Sequence, residues 1–330
     1  MTAPPILRGG ALALLVALSA VAALGFGQAA IGPGLLWEGL VTGEGPGALA
    51  LSVFRGPRVA TAVGAGALFG LSGALLQLLF RNPLAAPDII GFTQGAGLAV
   101  IAATAVGLDA PMALVAAAGG LATALLVGGV SWRPGHATPP LTFVLVGLGV
   151  AFLCSALSTF LMTLMPSAAA AEAQRWITGS LAARDWGHVA RVWLPGLALT
   201  LLALAGTRRL AALQLGEDLA VGLGVDLAAA RRGLVATAVL LAGVAVAVAG
   251  PVPFVALMAG PLGARLTGAR SLAGHLLAAA GAGAIVLVLA DAAARSLLPG
   301  VELPAGVMTG LLGAPYLMWC LARETKGGRL

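Results

Sequence analysis

The chain has 330 residues, 60% of them hydrophobic and 9% charged, with a mean hydropathy of +1.03. Soluble domains carry about 25% charged residues, so a water-solvated globule is excluded and the solvent is lipid. The formal charge of +6 and pI of about 10.9 would suggest nucleic acid in a soluble protein. Here the cations are scattered over connectors without aromatic interleaving, so no nucleic-acid partner is expected and membrane orientation explains them.

Uncharged stretches cover 9–37, 59–80, 89–108, 110–132, 134–171, 192–207, 233–264, 271–290 and 303–322, most of them reaching the roughly 17–25 residues of a spanning helix. The first span is expected at 9–31. Arg8, the apolar stretch and Ala29–Ala30 also resemble a signal peptide, but every later segment has the same character, and retention is expected. Spans follow at 59–80, 89–108 and 110–132. The 134–171 stretch opens with prolines, which moves its helix to 141–165. After 192–207, "GPVP" at 250–253 divides the long 233–264 run, because proline removes a donor and clashes with the preceding turn. The pieces are 233–249 and 254–266, followed by 271–290 and 303–322. This reading predicts an all-α polytopic membrane protein, a single transmembrane domain over 1–330 with ten spans and both termini on one side.

Lys and Arg set the orientation. With the N-terminus cytoplasmic, 12 cations lie inside (Arg8, Arg81, Arg133, Arg208, Arg209, Arg231, Arg232, Arg265, Arg270, Arg323, Lys326, Arg329). Six lie outside: Arg55, Arg58, Arg175, Arg184, Arg191 and Arg295. Two connectors exceed simple turns. Residues 166–191 are expected outside. Residues 207–232 are expected inside, as two short surface helices punctuated by Gly216, Gly222 and Gly224. "VATAV" recurs at 59–63 and 235–239, in spans of opposite direction, so an inverted repeat is possible.

Nothing resembles an active site, so no enzyme and no cofactor is expected. There is no phosphate-binding loop, and Gly64 and Gly66 fall inside a span, where small residues let helices pack closely. His136, His188 and His275 are far apart and read as connector or interfacial residues, not metal ligands. Cys154 and Cys320 lie in apolar segments as small buried hydrophobes. Asp291 and Arg295, four residues apart, can pair on one helix face. The spans lack a carboxylate relay of the kind that drives proton or sodium carriers, so the energy source is expected outside this chain.

Several stretches, in order, carry a family likeness: "RGPRV" at 55–59, "SGALLQLLFRNPLAAPDIIGFTQGA" at 72–96, "WITGSL" at 176–181, "LGEDLAVGLGV" at 215–225, "FVALMAGPLGARLTG" at 254–268, "LADAAAR" at 289–295 and "ELPAGVMTGLLGAPYL" at 302–317. They resemble the FecCD-type permeases, the membrane subunits of bacterial ABC importers for iron–siderophores, haem and vitamin B12. "RNPLAAPDIIGFT" with "GPVPFVAL" looks most like the ferric-enterobactin branch. The resemblance implies ten helices in the bacterial cytoplasmic membrane and a second permease subunit, often as a heterodimer. It also implies two cytoplasmic ATPase subunits and an extracytoplasmic siderophore-binding protein.

By the same resemblance, Arg55, Arg58 and Arg295 dock the binding protein, a role that outer guanidiniums suit through charge-assisted contacts to carboxylates; interfacial snorkelling is the alternative. Gly216, Glu217, Ala220, Gly222 and Gly224 match the loop that couples to the ATPase, against the alternative of an unpartnered connector. Asn82 and Leu84 match the inner gate, against a plain Asn-Pro turn. In that turn Pro83 and Pro87 are expected to end one helix and begin the next, with Asp88 in the next helix's first turn. Gln77 and Thr93 are the candidates for lining the path. Two departures limit the transfer. The family's Pro-His is Gly260-Pro261 or Pro261-Leu262 here, and the second inner gate connector carries Pro139, Pro140 and Leu141, which leaves it unassigned. A cobalamin or haem importer, an ATP-independent carrier and a membrane scaffold are the competing readings.

Overall fold

Helices are the only regular elements among the described residues, which in this computed structural model are 5–27, 31–88, 91–131, 140–298 and 300–326. In lipid each backbone donor and acceptor must be satisfied within its own segment, which favours helices. In chain order they are α1 (Pro5–Gly25), α2 (Pro33–Thr42), α3 (Gly45–Leu49), a π-helical turn (Ala50–Phe54), α4 (Arg55–Phe80), α5 (Phe92–Ala105), α6 (Met112–Val130) and α7 (Pro140–Leu164). Then come α8 (Ser167–Ile177), α9 (Trp186–Ala205), α10 (Thr207–Gln214), α11 (Glu217–Gly222), α12 (Leu227–Ala249), α13 (Val255–Thr267), α14 (Leu272–Ser296) and α15 (Ala305–Lys326).

Each expected span falls on a helix, but length and apolarity qualify seven described segments as membrane-crossing. Two of the three that do not qualify, on α5 and α13, have a geometric cause; the third is on α15, which has 22 residues. α5 has 14 residues and α13 has 13, about 20 Å of helix, less than the roughly 30 Å hydrocarbon core. The multi-pass character stands; ten crossings and two cytoplasmic termini are not fixed by these lengths. Helix ends also differ from expectation where charges were taken as boundaries. α4 begins at Arg55, α9 at Trp186 and α12 at Leu227, and α14 continues through Asp291 and Arg295 to Ser296.

α4 is the axis of the fold. An apolar 18-residue stretch within Gly45–Phe80 is 83% buried, against 11% for the one within Leu7–Gly25 and 17% for the one within Trp186–Gln214. α14, α12, α13 and α9 pack around it, and α4 and α12 carry the two "VATAV" copies. Glycine makes the close approach possible. A Cβ on Gly66 would sit 2.5 Å from the Gly283 carbonyl of α14, and one on Gly73 1.9 Å from the Ala256 carbonyl of α13. Gly64 faces the Val192 and Trp193 side chains of α9 less tightly, a Cβ there lying 2.9 and 3.0 Å from them, and Trp193 Nε1 donates to the Ala60 carbonyl at 3.0 Å. Outward faces of α6, α7 and α9 expose Leu125, Phe152, Phe160, Leu194 and Leu201, a surface suited to lipid rather than water.

Three of the sequence motifs meet at one backbone junction. Gly179 of "WITGSL" takes a φ of +72°, and its Cα lies so close to Pro251 that a Cβ would be 2.2 Å from that carbonyl. Ser180 N donates to Ala249 O at 2.9 Å, and Gly306 N donates to Gly179 O at 3.1 Å. Ala29, Ala30, Arg133, His136, Pro139 and Arg329 lie outside the described residues, as do the side chains of Pro140, Leu141, Cys320, Arg323 and Lys326.

Candidate functional site

The N-terminal end of α4 carries a cluster of linked ion pairs. Arg58, 8% exposed, meets Asp291 of α14, 1% exposed, with Nε at 3.1 and 3.0 Å from the two carboxylate oxygens and Nη2 at 2.9 Å from Oδ1. Arg295, one turn further along α14, places Nε 3.1 Å from Asp291 Oδ2. This confirms the expected i,i+4 pair and adds a partner from α4 that the sequence did not reveal. One carboxylate therefore serves two guanidiniums, a geometry that offsets desolvation only because the lone pairs are used.

The remaining donors secure the end of α1. Arg55 Nη1 donates to Leu24 O at 2.8 Å and Gly25 O at 3.1 Å. Arg295 donates to Ala23 O and Phe26 O, both at 3.1 Å. These are the unpaired carbonyls of a helix C-terminus, where cations also meet the negative end of the dipole. A cavity of about 320 Å³ opens beside them, lined by Arg55, Arg58, Arg295, Glu302 and a fourth cation, Arg184. Arg58 Nη1 reaches Glu302 at 3.5 Å, and Glu302 is half exposed. Burial, and then the charge of Arg58, pulls the Arg184 guanidinium below its ordinary pKa. Four guanidiniums against Asp291 and Glu302 leave two net positive charges around the cavity. The expected Arg55, Arg58 and Arg295 are thus together, but Arg58 and Arg295 are buried in internal pairs. Arg184 and Glu302 join them from connectors whose proximity the sequence does not encode.

At the other end of α4 the chain turns through "RNPLAAPD". Arg81 takes a left-handed φ of +50° as the helix cap, costing an L-residue about 1 kcal/mol. The Asn82 Oδ1 accepts from Leu84 N at 2.9 Å, the Asx turn its residue type favours; both side chains are half-buried. Asp88 is not in a helix: Gly91, at φ +78°, delays α5 to Phe92, and Pro87 begins no helix. Asp88 instead accepts from the Thr93 hydroxyl, which still sets a carboxylate at the α5 N-terminus. Gln77, buried, donates through Nε2 to Pro83 O at 2.9 Å and Leu257 O at 3.0 Å, clasping this turn to α13. The two residues named for the path are therefore both engaged within the chain.

The 207–232 connector forms the two expected short helices, α10 and α11. Gly216, φ +111°, precedes α11 and Gly224, φ +77°, follows it. Ala220 is fully buried and its carbonyl accepts from Val225 N at 3.0 Å. Glu217 pairs with Arg231 of α12 at 2.7 Å, an exposed pair worth at most about 1 kcal/mol. Leu215, Leu219, Val221 and Leu223 are more than half exposed. Arg81 Nη2 donates to Leu213 O at 2.9 Å, and Gln214 Nε2 reaches Leu78 O at 3.5 Å. The 81–88 turn and the end of α4 are thereby tied to α10, a link not visible from the sequence.

A model of the FecCD transport family matches residues 14–323. The chain belongs to the FecCD transport family. It is 34% identical to the Fe(3+)-citrate import system permease protein of Bacillus subtilis, over 98% of this chain and 96% of that protein. It is 37% identical to the ferric enterobactin transport system permease protein of Escherichia coli, over 86% of each. Among solved structures, a metal-chelate type ABC transporter in an inward-facing conformation matches with a TM-score of 0.83 at 29% identity, over 97% of this chain and 99% of that one. This FecCD chain is a multi-pass transport permease and not an enzyme. Among its described residues no cluster of His, Cys, Asp or Glu is arranged to hold a metal. His188 serves as a helix cap with Asp185, its Nδ1 at 2.7 Å from Oδ1.

Proposed function

We propose that this permease carries a ferric siderophore, enterobactin-like in chemistry, across the bacterial cytoplasmic membrane. A second permease subunit completes the path as a heterodimer, two cytoplasmic ATPase subunits supply the energy, and an extracytoplasmic binding protein delivers the cargo. The observation that carries this reading is the pairing of two different ends on one buried helix. One end has a positive cavity suited to carboxylates on a binding protein. The other has exposed leucines on α11 and its flanks, suited to an apolar groove on an ATPase.

In this reading Arg55 and Arg184 take the docking carboxylates directly, while the Arg58–Asp291–Arg295 group holds α1, α4 and α14 in register beneath them. ATP-driven movement of α10 and α11 pulls on Arg81 and so on the turn bearing Asn82 and Leu84, which form the inner gate. The enterobactin relative supports the cargo class. The test is uptake by proteoliposomes containing both permease subunits, the ATPase and the binding protein. Labelled ferric enterobactin should enter with ATP, while cyanocobalamin and haem should not. Uptake that persists without the ATPase would sink the importer reading, and preferential cobalamin or haem uptake would sink the cargo.

A further inference from the structure

A second, larger cavity lies far from the arginine cluster. It is a groove of about 760 Å³ between α1 and α14, closed at one end by the 267–271 turn. Arg8 and Arg270 stand at that end, and Leu12, Val16 and Leu277 form the walls. Arg8 Nη1 donates to Thr267 O at 3.3 Å, which fixes its guanidinium over Gly268, and Arg270 is exposed. No carboxylate is present among the described residues lining the groove.

From Arg8 to Val16 the groove runs along α1 for about 12 Å, and from Ser271 to Gly281 along α14 for about 15 Å. That is the depth of one leaflet, half of the roughly 30 Å hydrocarbon core. Two cations at the polar end of an apolar, leaflet-deep slot, with no carboxylate among the described lining residues, match one ligand class. We infer that this groove binds an anionic phospholipid, with its phosphate at Arg8 and Arg270 and an acyl chain along Leu12, Val16 and Leu277. Basic residues at the membrane surface attract anionic headgroups in this way. The leaflet is the cytoplasmic one, a detail that rests on the orientation given by the positive-inside rule; the site itself is independent of the transported cargo.

The test uses the full-length chain in its permease complex, reconstituted into nanodiscs of equal phosphatidylglycerol and phosphatidylcholine. After detergent extraction, native mass spectrometry counts the lipids retained. Phosphatidylglycerol should be retained over phosphatidylcholine, and the double variant Arg8→Gln/Arg270→Gln should lower that preference roughly tenfold. Ala13→Trp, which leaves both cations and fills an exposed position on the groove wall, should lower retention as well. Millimolar inorganic phosphate should not displace the lipid. Equal retention of both lipids, insensitivity to Ala13→Trp, displacement by phosphate, or cross-linking of an Ala13→Cys variant to another protein chain would each overturn the assignment. ATP-independent uptake would defeat the importer reading and leave this result untouched.

Discussion

The two ends of α4 are built on opposite principles. At one end Arg58 and Arg295 are buried and share Asp291, and Arg295 joins Arg55 in holding the carbonyls at the end of α1. At the other, Arg81 is exposed and reaches α10 through one carbonyl, while Leu215, Leu219 and Leu223 face outward. The first end is held by buried charge and the second by hydrogen bonds from Gln77, Arg81 and Gln214 to backbone carbonyls. In the proposed importer the first would be the dock and the second the handle.

The largest effect is expected from breaking the fixed end. Asp291→Ala leaves buried Arg295 without its carboxylate and Arg58 with only the half-exposed Glu302 at 3.5 Å, and should cost about 3–5 kcal/mol, read as a lowered Tm of the purified permease. Replacing Arg58, Asp291 and Arg295 together with Met, Leu and Met should recover most of that stability and, with Arg55 and Arg184 still in place, most of the binding-protein docking. If docking is lost although Tm is restored, the cluster contacts the binding protein itself. At the movable end, Leu219→Asp should reduce co-purifying ATPase tenfold or more, since burying one leucine is worth about 1.5–3 kcal/mol, with Tm unchanged.

Arg81→Asn sharpens the contrast, because asparagine tolerates the left-handed conformation but cannot reach Leu213. Loss of one partly exposed hydrogen bond is worth about 1 kcal/mol. Transport should therefore fall roughly fivefold while ATPase binding persists. The smallest effect is expected at Glu302, which is half exposed and 3.5 Å from Arg58. Glu302→Gln removes a competing carboxylate and should tighten docking by less than about fivefold, a surface pair being worth under about 1 kcal/mol.

Much of this architecture was legible because lipid imposes a simple code. Apolar length located the helices, and glycines flanking "EDLAVG" marked a pair of short ones. Where charge was used as a span boundary, helix ends were missed: Arg58 lies inside α4, and α14 runs on through Asp291 and Arg295. The i,i+4 pairing of those two was legible, but nothing local records that Arg58, 233 positions away, shares the same carboxylate. Asp88 was misassigned for a backbone reason, the left-handed Gly91 that delays α5. Of the candidate site, Arg55, Arg58 and Arg295 and the glycines of the 207–232 connector could be singled out from motif likeness. Arg184, Glu302 and the Arg81–Leu213 link could not, because each depends on which connectors the fold brings together.

The central claim is that the two ends of α4 serve different partners, and paired pull-downs on one chain test it most directly. Arg55→Gln/Arg184→Gln should lose the binding protein and keep the ATPase; Leu219→Asp should lose the ATPase and keep the binding protein. Loss of both partners by either variant, or the reverse pattern, would contradict the account.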